Sequence, residues 1–196
     1  ASTKGGQTGA LFVNAGGTIN IHNAGADNVL TLRAKSTAPT NAAVIKSMNG
    51  VSGVMSSITV NGLVDVVADK SNASGANEAI SAVASKVEVG GGVIKAINGA
   101  EYAIRAYGEY VSNNRGQVNV NVKKDAKGAI IGAGSNTVQM EGNVYLGGGM
   151  DNAGANADVS LGLNTKDSFW KGDVSNANGS SAGIVNLYIG SGATWT

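Results

Sequence analysis

The sequence predicts an all-β protein in which short strands are stacked as a solenoid. Three observations carry this prediction: alternation of apolar and polar residues, corners rich in Gly and Asn, and a loosely repeated phrase of strand, corner and strand. Alternation over about four to seven residues is typical of strands with one buried face. Gly and Asn reach the left-handed backbone conformations that tight corners need. We therefore expect a single solenoid domain over residues 1–196.

Alternating stretches occur along the whole chain. The clearest is 117–123, where Val118, Val120 and Val122 alternate with polar residues. The others are 18–22, 57–60, 63–66, 86–89, 137–140, 144–146, 159–163 and 185–189. Two Ala-rich stretches, 76–85 and 100–107, are candidates for helix. Neither is long enough to be convincing as a helix, and short strands are the favoured interpretation.

The repeated phrase sets the size of the predicted coils. Copies occur at 58–64, 87–94 and 138–144, each with Gly at the corner. Rungs of about 20–25 residues would give about eight or nine coils. Each buried Val or Ile would stabilise the stack by roughly 1.5–3 kcal/mol relative to exposure. At about 4.8 Å per coil, the rod would be about 40 Å long.

Composition excludes several classes of protein. The net charge of +1 and the 14% of charged residues argue against a general nucleic-acid binder. The absence of Cys excludes a disulfide framework and a Cys-ligated zinc site. No apolar run has the length of a membrane-spanning helix. The chain starts at Ala1 without an apolar leader, so we expect a mature or excised fragment.

Patterns that would indicate an enzyme are weak, and we expect no enzyme, no cofactor and no metal site. Ser181 lies in a Gly-x-Ser-x-Gly pattern, but the only histidine, His22, is far upstream and on the outward side of its strand. The acidic residues are scattered, apart from Asp65 and Asp69. The loop with Asp151, Asn152 and Asp158 lacks the calcium-binding nonapeptide repeat, so a solvated loop is favoured.

Two surface stretches are candidates for ligand binding. The first combines an arginine with tyrosines, the residue types enriched at binding hot spots; its members are Tyr102, Arg105, Tyr107 and Tyr110. The second is the outward ladder of Gln117, Asn119, Asn121 and Lys123, whose side chains can hydrogen bond to another surface. A solvated strand exterior is the alternative for this ladder. The basic turn at 123–127 is interpreted as a solvated corner, or alternatively as a contact for acidic glycans.

The end of the chain resembles a known family. Ser168, Phe169 and Gly172 form a phrase that precedes an alternating strand, and this strand is followed by Gly192-Ala193-Thr194-Trp195. Over about 30 residues the pattern resembles the pertactin-like passenger domains of bacterial autotransporters. Corners at Gly142 and Gly172 are similar to those of the same family. We interpret Phe169, Trp170 and Trp195 as stacked core or corner fillers.

The resemblance implies a right-handed parallel β-helix on the bacterial cell surface, exported across the outer membrane. In this family further coils and an outer-membrane β-barrel follow such a phrase, so we expect a fragment truncated at its C-terminus that does not itself insert into the membrane. The implied function is adhesion to host surfaces, or cell–cell aggregation and biofilm formation. The implied partners are a host-surface glycan or protein, or a like molecule on another cell.

Three alternatives stay open at the level of sequence. The first is a polysaccharide-degrading enzyme on the same scaffold, and the second is a structural stalk for a missing head domain. The third is a different fold, a trimeric adhesin head with a left-handed roll, which Gly128-Ala129-Ile130-Ile131-Gly132 superficially resembles. The fixed short repeat of such heads is missing here.

Overall fold

The computed structural model describes residues 9–23, 28–34, 42–48, 54–71, 75–108, 114–147, 157–176 and 183–196. Within these ranges the backbone forms twenty β-strands, joined by turns and bends. The described ranges contain no helix, and hence none that could cross a membrane. The prediction of an all-β protein is therefore confirmed for the described residues.

Eighteen of the strands form three parallel sheets of six strands each. Sheet I has the order β1 (Leu11–Val13), β4 (Ala43–Met48), β7 (Glu78–Val83), β10 (Tyr102–Tyr107), β15 (Asn143–Gly147) and β18 (Val174–Asn176). Sheet II has the order β2 (Thr18–Ile21), β5 (Ser57–Val60), β8 (Lys86–Val89), β11 (Gly116–Val120), β16 (Ala157–Leu163) and β19 (Ile184–Ile189). Sheet III has the order β3 (Val29–Leu32), β6 (Leu63–Asp69), β9 (Gly92–Ile97), β14 (Val138–Glu141), β17 (Phe169–Lys171) and β20 (Thr194–Trp195).

The two remaining strands, β12 (Val122–Lys124) and β13 (Ile130–Ala133), pair with each other as an antiparallel hairpin. Outside this hairpin the chain visits sheets I, II and III in turn, and we call one such round a triplet. The described strands make six triplets. Successive triplets begin 24 to 41 residues apart. All but the shortest interval exceed the rung length predicted from the sequence, because the corners and the hairpin add residues.

The core is made of rows of apolar side chains, one from each triplet. In sheet II, parallel pairing aligns Ile19, Ile58, Val87, Val118, Val159 and Val185. In sheet I it aligns Leu11, Ile45, Ile80, Ile104, Val144 and Val174. Strand neighbours lie about 4.8 Å apart, so each side chain in a row packs on the next. Most members of these two rows are fully buried.

Both helix candidates are strands. The stretch 76–85 contains β7 and the stretch 100–107 contains β10, and the two strands pair with each other in parallel. In β7 both sides are buried, because Ala79 and Ser81 are as inaccessible as Ile80 and Ala82. A strand buried on both sides does not show the alternation of apolar and polar residues that marks a half-buried strand, which is why this stretch could be taken for a helix.

The corner between sheets II and III shows why Gly and Asn recur in the sequence. Gly92 has a φ of 107°, and a Cβ there would lie 2.1 Å from the Val64 carbonyl oxygen, so no other residue fits. The asparagines of this corner donate to main-chain oxygens of a neighbouring triplet. Asn136 donates to Gly90 over 2.8 Å, and Asn164 donates to Gly134 over 3.1 Å.

Tryptophans continue the inner row of sheet III. Trp170 is fully buried beside Met140 in the register, and its indole N–H donates to the Gly142 carbonyl over 3.0 Å. Trp195 stacks on Trp170 with 5.1 Å between ring centroids and 10° between the planes. The prediction of stacked core or corner fillers is confirmed for Trp170, which is fully buried. Trp195 stacks on Trp170 but is 49% exposed, so it covers the end of the core. A core position is wrong for Phe169, which lies in the outward row, with the Lys171 ammonium 5.3 Å from its ring.

Candidate binding site

The outer side of sheet II carries two rows of polar side chains. Alternate residues of a strand point to opposite sides, so the residues between the aliphatic rows face outward. The first row is Thr18, Ser57, Lys86, Gln117, Asp158 and Ile184. The second row is Asn20, Thr59, Glu88, Asn119, Ser160 and Asn186. Only Ile184 interrupts this polar surface.

The β12–β13 hairpin is attached at the edge of this surface, and Asn121 fixes its base. Asn121 has a φ of 48°, and its carbonyl accepts a hydrogen bond from the Gly134 N–H over 2.6 Å. Its side-chain amide donates to the carbonyls of Asn136 and Gly162, over 2.7 and 2.9 Å. At the hairpin tip, the Asp125 carboxylate accepts the N–H groups of Lys127 and Ala129, both over 2.9 Å. Both ends of the hairpin are thus held by defined hydrogen bonds.

Lys124 connects the hairpin to the outer side of sheet II. Its ammonium contacts the Glu88 carboxylate, which also lies 3.2 Å from Lys86 Nζ and accepts the Asn119 amide over 2.9 Å. Burial alone would raise the pKa of Glu88, but the hydrogen bonds from Lys124 and Asn119 and the charge of Lys86 outweigh it. The pKa of Glu88 therefore lies below its ordinary value, and the carboxylate stays charged at neutral pH.

Two recesses lie between the hairpin and the sheet. The larger, of about 470 Å³, is lined among others by Lys86, Arg115, Asp158, Asn186 and Tyr188, and we call it the basic recess. The smaller, of about 310 Å³, is lined mainly by amides and main chain, with Glu88 at one wall. Asn119 and Lys124 line both recesses, so the two recesses adjoin each other, and we call them together the trough. Their volumes are in the range of small-molecule sites.

The four residues of the predicted ladder, Gln117, Asn119, Asn121 and Lys123, do not share one surface in the structure. Gln117 and Asn119 lie in the outward rows and line the basic recess. Asn121 is 3% exposed, and its side chain is used at the hairpin base. Lys123 is exposed on the hairpin and is not among the residues that line either recess.

Sequence patterns did not single out Lys86, Glu88 and Arg115 as binding residues, whereas Lys124 of the trough lies in the basic turn at 123–127. Lys86 and Glu88 alternate with two valines, as Gln117 and Asn119 do. The sequence therefore predicted that Lys86 and Glu88 face outward. Their position beside Gln117 and Asn119 was not predictable, because it depends on which strands pair. Arg115 precedes its strand, and its guanidinium reaches Asp158 on the neighbouring strand of sheet II, 43 residues later in the sequence, over 2.7 Å.

The second predicted surface, on sheet I, is also brought together in part. The Arg105 guanidinium lies 5.3 Å from the Tyr107 ring centroid and 5.9 Å from that of Tyr145. Tyr102 and Tyr145 pack with 5.0 Å between centroids. Burial, together with the neighbouring Glu101, raises the pKa of Tyr102. Tyr110 lies outside the described residues.

Buried charges lie beside this aromatic cluster. Arg105 forms an ion pair of 3.1 Å with Glu78, whose side chain is 3% exposed. Burial lowers the pKa of Lys46, an effect that Glu78 opposes and Arg105 reinforces. Arg105 is therefore used partly to neutralise Glu78, and its predicted role in ligand binding stays a prediction.

The remaining sequence motifs add little chemistry to the described surface. His22 accepts a hydrogen bond at Nδ1 from the Asn61 amide over 2.8 Å. Asp65 pairs with Arg33 at 2.8 Å, and Asp69 accepts the Asn98 amide over 2.9 Å. In the described ranges, no group of three or more His, Asp or Glu side chains is arranged to hold a metal ion. Ser181, Asp151 and Asn152 lie outside the described residues.

In comparisons with known proteins, no family model, no curated protein and no solved structure matches the chain.

Proposed function

We propose that the chain is part of a bacterial surface adhesin, folded as a right-handed parallel β-helix, that attaches through the outer side of sheet II. The regular visits to three parallel sheets support the β-helix, because each triplet then forms one coil stacked on the next. In this proposal each of the six described triplets is one coil. The predicted rung length suggested eight or nine coils for the whole chain. The family, the cell-surface location and the export route rest on the sequence resemblance.

The observation that carries the proposed function is the pair of polar rows along sheet II. The outward rows of sheet III are interrupted more often, by Val67, Val93 and Phe169. Amide, hydroxyl and charged groups repeat from strand to strand in sheet II, so an extended polar ligand can make similar contacts at several coils. Such contacts are individually weak, and many copies displayed on one cell multiply them into stable attachment.

A second candidate is a polysaccharide-degrading enzyme, favoured by the ionisable groups around the trough. Its two carboxylates, however, are both held in ion pairs, Glu88 with two lysines and Asp158 with Arg115. A general acid or base must be available to exchange a proton with the substrate. Release of reducing ends or unsaturated sugars from polysaccharide would favour the enzyme. A stalk would instead give no attachment without a further domain.

Display on a non-adherent bacterium tests the adhesin proposal. The chain is fused to an outer-membrane barrel, and cell clumping and attachment to host cells are scored against the barrel alone. The variant Gln117→Ala/Asn186→Ala removes two side chains of the outer sheet II surface. Gln139→Ala is the matched control, because Gln139 is an outward glutamine on sheet III.

We expect attachment above the barrel alone, a clear reduction for the double variant at equal surface level, and no reduction for Gln139→Ala. Cells that attach no better than those with the empty barrel would overturn the adhesin proposal. Equal attachment by all variants would mean that cells attach through a surface other than the outer side of sheet II.

A further inference from the structure

The basic recess brings three cationic side chains to one part of the polar surface. Lys86 lies on β8, Arg115 lies just before β11, and Lys124 lies on the hairpin. They come from three separate stretches of sequence. The stacking of triplets and the position of the hairpin beside sheet II bring them to one recess. The only carboxylate in its lining is that of Asp158.

The cations are more accessible than the acids that pair with them. The side chains of Lys86, Arg115 and Lys124 are 31%, 43% and 28% exposed, whereas those of Glu88 and Asp158 are both 21% exposed. Counting Glu88 with the recess, three positive charges face two negative ones. The site therefore keeps one net positive charge.

Donor capacity also remains after the ion pairs are made. An ammonium has three N–H donors and a guanidinium has five. The described ion pairs join Lys86 Nζ and Lys124 Nζ to Glu88 and Arg115 Nη1 to Asp158. A ligand group that only accepts hydrogen bonds, such as a carboxylate or a sulfate, matches the donors that are left.

The rest of the recess matches a sugar rather than a bare anion. Gln117, Asn119 and Asn186 offer amides that both donate to and accept from hydroxyl groups, and the Tyr188 ring lies at one end. The recess spans four neighbouring strands, β8, β11, β16 and β19, which are spaced about 4.8 Å apart. A linear polymer lying across these strands meets a new set of polar groups at each one.

We propose that the basic recess binds an acidic glycan, with a carboxylate or sulfate group of the sugar held by Lys86, Arg115 and Lys124. The inference rests on the proposed function, since it names the chemical class of ligand for the same surface. Salt weakens the interaction, because part of the attraction acts between partly exposed charges.

Binding of the purified chain to immobilised polymers tests this inference. The polymers are polygalacturonate for a carboxylate, dextran sulfate for a sulfate, dextran for a neutral glycan, and polyglutamate for a carboxylate polymer without sugar. We expect binding to one or both acidic glycans and at least roughly 10-fold weaker binding to dextran and polyglutamate. The two acidic arms distinguish a carboxylate ligand from a sulfate ligand.

Charge-removing variants locate the binding to the recess. We expect Lys86→Gln and Arg115→Gln each to weaken binding to the acidic glycan by roughly 5- to 10-fold. Lys95→Gln is the matched control, because it also removes one lysine from an ion pair, with Glu141 at 2.8 Å, but on sheet III. Thermal unfolding of each variant verifies that the fold is kept.

Three outcomes would overturn the inference: equal binding to polyglutamate, equal binding to dextran, or an equal loss with Lys95→Gln. Its failure is separable from that of the proposed function. If displayed cells attach but the purified chain ignores acidic glycans, only the inference fails. If the purified chain binds acidic glycans through the recess but displayed cells do not attach, only the adhesin proposal fails.

Discussion

At the scale of single residues, Asn121 shows how a polar side chain shapes the molecule without facing solvent. Its left-handed backbone turns the chain out of β11 and into the hairpin. Its side chain accepts the Asn136 N–H over 3.1 Å and donates to two carbonyls, one of which belongs to Gly162 on the neighbouring β16. Asn121 therefore joins three parts of the chain at a site that is 3% exposed.

Replacing Asn121 separates its backbone role from its hydrogen bonds. Asn121→Gly tolerates the positive φ but leaves buried partners unpaired, so we expect a loss of about 2 kcal/mol in the free energy of unfolding. Asn121→Ala loses the same bonds and adds roughly 1–2 kcal/mol of left-handed strain. Urea unfolding measures both values.

The control for this series is Asn98→Gly. Asn98 has a similar φ of 55° but is exposed and donates only to the Asp69 carboxylate in the described structure. We expect its replacement to change stability by no more than about 0.5 kcal/mol. Equal losses for Asn121→Gly and Asn98→Gly would show that the buried hydrogen bonds contribute nothing.

Asn121 also marks the point at which alternation in the sequence no longer predicts the side of the sheet that a residue faces. The alternation in 117–123 predicts that Gln117, Asn119, Asn121 and Lys123 share one side. It is correct for Gln117 and Asn119, which lie on one strand. It does not extend to Asn121, because the strand ends at Val120 and the chain turns there. Period-two patterns specify a side only as long as the strand continues.

At the scale of elements, an ion pair between Lys124 of the hairpin and Glu88 of β8 joins the hairpin to sheet II. The folded pKa of this carboxyl is lowered, so its charged form stabilises the fold. That contribution is fully present above the unfolded pKa of about 4.3 and is lost as the pH falls through the folded value. The attachment of the hairpin is therefore sensitive to acid and insensitive to changes near neutral pH.

Glu88→Gln tests this dependence. At pH 7 we expect the variant to be less stable than the wild type by about 1 kcal/mol, because two lysines lose their counter-ion. The difference should close as the pH falls below about 4, where the wild-type carboxylate itself becomes protonated. Urea unfolding across this range measures the difference, and faster amide exchange in β12 and β13 would locate it.

Glu141→Gln is the comparison variant for Glu88→Gln. The hydrogen bond from Lys95 lowers the pKa of Glu141 too, but this pair lies on sheet III and the Glu141 side chain is 35% exposed. We expect a smaller difference at pH 7 and no change of amide exchange in the hairpin. A stability gap for Glu88→Gln that persists unchanged at about pH 3 would contradict the assigned role of its charge.

The elements themselves were predictable wherever alternation is regular. Strands β5, β8, β11 and β19 all fall on alternating stretches of the sequence. The Ala-rich strands β7 and β10 left a choice between helix and strand, since burial of both sides removes the alternation that identifies a strand. The start of the antiparallel hairpin could not be distinguished from β11 in the sequence, because Val122 continues the alternating valines of β11.

At the scale of the whole molecule, the strands of each triplet pair only with strands of the triplets beside it in the register. Stability is then approximately a sum of triplet and interface contributions, as in other repeat proteins. The sixth triplet has a neighbour on one side only in this chain. Its side chains are correspondingly open, with Val174, Ile184, Ile189 and Trp195 between 43% and 51% exposed. The number of triplets was not predictable, since corner lengths vary too much to fix a period.

The two tryptophans give a local report on this end of the molecule. Trp170 lies in the fifth triplet and Trp195 in the sixth, and the chain has no other tryptophan. If stability is a sum of neighbouring contributions, the sixth triplet opens before the interior ones. We therefore expect tryptophan fluorescence to change at a urea midpoint roughly 0.5–1 M below that of far-UV circular dichroism, which reports on all three sheets.

Trp195→Phe refines the measurement, because it keeps an aromatic ring on Trp170 and leaves Trp170 as the single emitter. Its fluorescence midpoint should lie between those of the wild-type fluorescence and the circular dichroism, since the fifth triplet has neighbours on both sides until the sixth opens. Coincident midpoints for both probes in the wild type would mean that all six triplets unfold as one cooperative unit. In that case coupling between neighbouring triplets exceeds the stability of any single one, and the open end is held as firmly as the middle.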